Sequence, residues 1–128
     1  MNEPLWIAPE VVLILHEQLL AQFGGLSGLR DEGLLAAALG RPANRFAYGE
    51  TDLFDLAASY AVGIVKSHPF VDGNKRTGFV LAVVFLELNG CCFTATEVDA
   101  ALRTLALAAG ELSEPEYGAW LRANVEPA

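Results

Sequence analysis

The chain has 128 residues, is 53% hydrophobic and carries a net charge of −8 at pH 7. That length fits a single domain, 1–128, with room for a real core, and the composition excludes disorder. The acidic balance argues against a direct nucleic-acid binder, which needs a basic face, and no stretch reaches the ~20 apolar residues that span a bilayer.

Alanine and leucine dominate, which favours helices. Positions 1–10 lack both a basic start and an unbroken apolar run, so no secretory leader is expected. Trp6-Ile7 reads as a short extended piece. Pro9 is placed to open a helix. Val11, Val12, Ile14, Leu15, Leu19, Leu20 and Phe23 then recur at helical spacing, and Gly24-Gly25 stops them. His16-Glu17 begins a zinc motif that Leu20 leaves incomplete, so His16 reads as a surface or interface residue. Residues 24–28 are glycine-rich, but no Gly-Lys-Ser/Thr follows, so this is not a Walker loop. Asp31 caps a short helix through Leu39, which Arg41-Pro42 should break. Residues 43–51 then read as a polar and aromatic connection, either a surface loop or a flap.

Thr51 or Asp52 caps the next helix, about 53–67, which is apolar around much of its circumference. Pro69 keeps His68 out of helical geometry. A second helix, about 74–89, has almost no polar face and is too short for a membrane, so it reads as a buried central helix. Asn89-Gly90 ends it. Cys91 and Cys92 are adjacent. Neighbours rarely close a good disulfide, so buried reduced thiols and a cytoplasmic setting are expected. Thr94 or Thr96 caps a helix over 98–109. Ser113-Glu114-Pro115-Glu116 is a capping box for the last helix. The sum is an all-α bundle around the helix at 74–89.

Between the two most apolar helices lies His68-Pro69-Phe70-Val71-Asp72-Gly73-Asn74-Lys75-Arg76-Thr77-Gly78. Two cations in the first turn of a helix oppose its dipole, but together with free N–H groups they make an anion site. Gly73 lets the backbone come close to a ligand or adopt positive φ. The N–H groups of Gly73, Asn74, Lys75 and Arg76 form a phosphate cradle. Arg76 can grip phosphate with two bonds and Lys75 adds a point charge. The Asn74 side chain can donate to a phosphate or accept from the loop. Asp72 suits Mg²⁺ beside phosphates. His68 suits proton abstraction from a hydroxyl, and Phe70 reads as the loop's inward anchor. Arg41, Arg45 and Lys66 precede Lys75 and Arg76 in one stretch of this acidic chain, a local reversal of sign that points to an anionic ligand. The same residues also fit an ordinary turn, with Asp72 paired to Arg76 and His68 capping the preceding helix.

These residues resemble the signature of the Fic/Doc superfamily, approximately H-x-F-x-[D/E/A]-[G/A]-N-x-R. His68, Phe70, Asp72, Gly73, Asn74 and Arg76 fill every specified place. Residues 28–35 and Arg41-Pro42 are similar to the amino-terminal half of death-on-curing (Doc) toxins, as are the chain's length and its closing helix. The resemblance implies a Fic fold and transfer of a phosphate-containing group from ATP to a protein hydroxyl. It makes His68 the base, Asp72 the Mg²⁺ ligand, and Gly73, Asn74, Lys75 and Arg76 the nucleotide and phosphate site. Nucleotidyl-transferring members have glycine where Lys75 stands and a second arginine where Phe79 stands. Doc-like members share the lysine and lack that arginine, which implies γ-phosphate transfer to a translation factor, elongation factor Tu by analogy. Gly73 departs from the alanine of the best-known Doc and keeps nucleotidyl transfer open. A catalytically silent binding module is the remaining reading. No inhibitory [S/T]-x-x-x-E-[G/N] helix is present. The resemblance therefore implies a separate antitoxin, whose amphipathic tail lies as a helix in a groove beside the motif.

Overall fold

The computed structural model describes residues 2–128. Six helices and two short strands follow in the order α1 Pro9–Phe23, α2 Glu32–Ala47, α3 Leu53–Ser67, α4 Asn74–Leu88, β1 Cys91–Phe93, α5 Glu97–Ala108, α6 Glu114–Ala123 and β2 Val125–Pro127. Local chemistry explains most of the starts. Pro9 opens α1. Asp31 accepts from the Leu34 N–H, Asp52 from Phe54 and Asp55, and Thr96 from Asp99, each meeting an orphan donor of its helix. Ser113 and Glu116 close the expected capping box on α6. α4 is the exception, because Gly73 precedes it in the left-handed region and no side chain caps it.

The all-α class expected from the sequence is present. One buried cluster draws on every helix: Val12 of α1, Leu35 and Ala38 of α2, Leu56, Ala57, Ala58, Tyr60, Ala61 and Ile64 of α3, Leu81, Ala82, Phe85 and Leu86 of α4, Leu107 of α5, and Tyr117 and Leu121 of α6. α4 lies against α3 and also meets α1, α5 and β1. α3 is the more enclosed of the two. It packs on α2, α4, α5 and α6, and residues 56–61 are all buried. α4 leaves Phe79, Val80, Val83 and Val84 only half-covered. The two helices approach closely at Gly78, where an added Cβ would meet Val65 Cγ2 at 2.7 Å and the Ala61 carbonyl at 3.0 Å. No helix among the described residues is long and apolar enough to cross a membrane.

Two local expectations are corrected, and one element is added. α2 does not stop at Arg41-Pro42; it continues through a buried Pro42 to Ala47 and absorbs half of the expected 43–51 connection. Proline removes one helical hydrogen bond, but tertiary contacts on both sides of it outweigh that loss. Arg41 and Arg45, one turn apart, both grip Glu114 of α6, and Phe46 packs edge-on to Trp6 at 5.8 Å. The segment after α4 is a strand. β1 pairs antiparallel with β2, with Cys91 opposite Pro127 and Phe93 opposite Val125. Three-residue strands leave too little alternation to read. Cys91 and Cys92 are free as expected, but half-buried rather than buried.

Candidate active site

The site is assembled where α3 ends and α4 begins. The backbone N–H of His68 closes α3 by donating to the Ile64 carbonyl at 3.1 Å. His68 itself turns into the left-handed region, φ 51° and ψ 59°. It is the only non-glycine among the described residues with positive φ. Pro69 disfavours right-handed helical geometry for the residue before it, and the left-handed conformation that His68 adopts costs about 1–2 kcal/mol for an L-residue. That turn brings the exposed imidazole to the wall of a cavity of about 660 Å³.

The loop from 69 to 73 is held from beneath. Phe70 is 1% exposed. Its ring stacks on that of His16, with centroids 3.7 Å apart and planes 12° from parallel. The Asn74 carboxamide accepts from the Phe70 N–H and donates to the Phe70 carbonyl, both at 3.0 Å. Both ends of the Asn74 side chain therefore serve the loop, and only its backbone N–H faces a potential anion. His16 Nε2 lies 2.8 Å from the Asp72 carbonyl oxygen. A carbonyl only accepts, so Nε2 carries the proton. His16 is 2% exposed, which corrects its reading as a surface residue. The spacing Val12–His16–Leu20, all buried, held the signal that places it on the inner face of α1.

Asp72 does not pair with Arg76. Its carboxylate accepts from the Leu26 N–H at 3.1 Å and the Gly73 N–H at 2.9 Å. These two backbone donors hold its pKa below the usual carboxylate value. Gly73 stands at φ 77°, and a Cβ there would meet Leu20 Cδ2 at 3.3 Å. Its N–H is engaged by Asp72, so the open donors at the start of α4 are those of Asn74, Lys75 and Arg76, one fewer than expected. The Arg76 guanidinium lies 3.9 Å above the Phe23 ring, and Lys75 is exposed.

The cavity runs from the motif between the end of α1, the outer face of α4 and α5, where Ala101 and Leu105 complete it. Of the five cations in the basic stretch, Lys75 and Arg76 reach this cavity. Arg41 and Arg45 border a different hollow, with Glu50, Asp55 and Glu114. Phe79 lines the far part of the site and packs edge-on to Phe93 at 5.6 Å, with Trp120 at 6.4 Å. Among the described residues, no three His, Cys, Asp or Glu side chains gather as a metal cage. A lone ionised carboxylate with unshared lone pairs fits a Mg²⁺ that arrives with phosphate oxygens. Chemically the arrangement offers an imidazole, a carboxylate and an anion-binding helix start around one cavity.

The profile of the Fic/DOC family matches residues 6–86. The chain is 40% identical over 118 residues to "Protein kinase doc" of Escherichia phage P1, covering 91% of this chain and 92% of that protein. It is 44% identical over 71 residues to "Toxin Doc" of Mycolicibacterium smegmatis, covering 53% of this chain and 54% of that protein.

Proposed function

The chain belongs to the Fic/DOC family, and from that premise we propose that it is a toxin kinase that moves the γ-phosphate of ATP to a protein hydroxyl. The reading rests on one observation: the His68 imidazole, the Asp72 carboxylate and the open N–H groups of Asn74, Lys75 and Arg76 border a single cavity. The phage relative's name, "Protein kinase doc", supports the reaction class.

In this reading the N–H groups at the start of α4, with Lys75 and Arg76, hold the phosphates of ATP. His68 takes the proton of the acceptor hydroxyl as its oxygen bonds to the γ-phosphorus. The bond from that phosphorus to the β–γ bridging oxygen breaks, and ADP leaves. Asp72 would hold Mg²⁺, which offsets the charge building on the phosphate oxygens. Phe79 favours γ-phosphate over nucleotidyl transfer. The side chain at that place packs with Phe93 and Trp120 and offers no cation to a second phosphate.

By analogy the acceptor is a translation factor such as elongation factor Tu, reached in the cytoplasm. A cognate antitoxin restrains the toxin by laying an amphipathic helix over the apolar part of the cavity, where Leu19, Phe23, Val80, Ala101 and Leu105 lie. The test is incubation with translation components and ATP labelled at either the α or the γ phosphate. γ-Label on a protein, lost in His68→Ala, is the expected result. α-Label identifies a nucleotidyltransferase, and no label identifies a silent binding module.

A further inference from the structure

Residues 28–31, Gly-Leu-Arg-Asp, lie beside the motif loop. Leu29 is paired antiparallel with Phe70. The Val71 N–H donates to the Gly28 carbonyl at 3.0 Å, and the N–H groups of Arg30 and Asp31 both donate to the Pro69 carbonyl, at 2.7 and 3.0 Å. The Arg30 side chain extends the same attachment. Nε donates to the His68 carbonyl at 2.7 Å and Nη2 to the Ser67 carbonyl at 2.8 Å. Among the described residues Arg30 has no carboxylate partner, so these two bonds are where its charge acts. They fall on the C-terminal end of α3, where orphan carbonyls and the negative end of the helix dipole coincide.

A left-handed residue after a helix is usually glycine or asparagine. A histidine there persists because its surroundings hold it. We propose that Arg30 is a positioning residue: its guanidinium fork holds the carbonyls of residues 67 and 68 and so keeps His68 in the left-handed conformation that presents its ring to the cavity. The role in transfer rests on reading His68 as the proton acceptor; the hold on His68 does not. A lysine cannot replace the fork, because an ammonium is a point donor and does not match two carbonyls in fixed geometry. Arg30 is exposed, so truncating it leaves the core packing in place.

The chain has two histidines, and histidine-labelled NMR therefore reports His68 with the buried His16 as an internal control of the fold. In Arg30→Ala the His68 signal leaves its wild-type position while that of His16 stays. In phosphate transfer kcat falls about tenfold or more with KM for ATP within about twofold. Arg30→Lys falls between wild type and Arg30→Ala. A His68 signal that does not move, two histidine signals that move together, or an unchanged kcat overturns the proposal. His68→Ala separates the two readings. Transfer that persists there removes His68 as base, whereas a selective shift of the His68 signal in Arg30→Ala still establishes the hold.

Discussion

Two histidines stand at the motif loop in opposite surroundings. His68 is exposed at the cavity wall, and His16 lies beneath the loop, where it is engaged by Phe70 and the Asp72 carbonyl. Replacing His16 by leucine keeps bulk but leaves a carbonyl without its donor. The expected loss is about 1–3 kcal/mol in denaturant unfolding, with a smaller loss for His16→Gln. Asp72 gives a pH signature. Its pKa is depressed by the N–H groups of Leu26 and Gly73. The stabilisation is therefore complete above the ordinary aspartate value of about 3.9 and is lost as pH falls through the lower folded value. An acid unfolding series should lose that component in Asp72→Asn. Tyr117 gives the opposite limb. Burial pushes its phenol up to about 12, and the hydrogen bond shared with Thr104 pulls the other way. The folded state holds this proton more tightly than the unfolded chain. Stability is therefore full below about pH 10 and declines by about 2–3 kcal/mol between pH 10 and the folded value. Tyr117→Phe should remove that alkaline decline.

Contacts between elements decide how the helices carry these residues. α3 and α4 meet at Gly78, about one turn into α4. Gly78→Val places methyl groups into Val65 and the Ala61 carbonyl. The expected cost is about 1–3 kcal/mol or more in thermal or denaturant unfolding, and under the proposed function ATP binding weakens because the start of α4 shifts with the helix. α2 persists through Pro42 because α6 supports it from outside. Arg41 donates to Glu114 through two bonds of 2.6 and 2.8 Å, and Arg45 joins the same carboxylate. Glu114→Gln should therefore cost about 1–2 kcal/mol, read by denaturant unfolding, while leaving phosphate transfer intact because this cluster borders a different hollow.

At the scale of the molecule, the cavity joins a polar end, formed by the motif, to an apolar end between α4 and α5. Under the proposed function those ends serve different partners. Ala101→Arg, on the exposed face of α5, should keep growth arrest but abolish its relief by a co-expressed antitoxin. His68→Ala should abolish arrest itself. Relief that survives Ala101→Arg would remove this part of the cavity as the antitoxin's seat.

The sequence by itself determined the helices and the place of the candidate site, because those depend on neighbours in the chain. Apolar spacing, the caps at Asp31, Asp52 and Ser113, Pro69 after His68 and Gly73 before Asn74 all act within one turn. The motif at 68–76 was legible for the same reason, as its chemistry is contiguous. Tertiary structure alone decided what depends on distant contacts. It carried α2 through Pro42 by way of Glu114, paired β1 with the end of the chain, and turned His16 inward beneath Phe70. It tied Asn74 to the loop rather than to a ligand, and it laid Arg30 across the end of α3. Each of these is a contact between residues far apart in sequence, whose geometry no local pattern encodes.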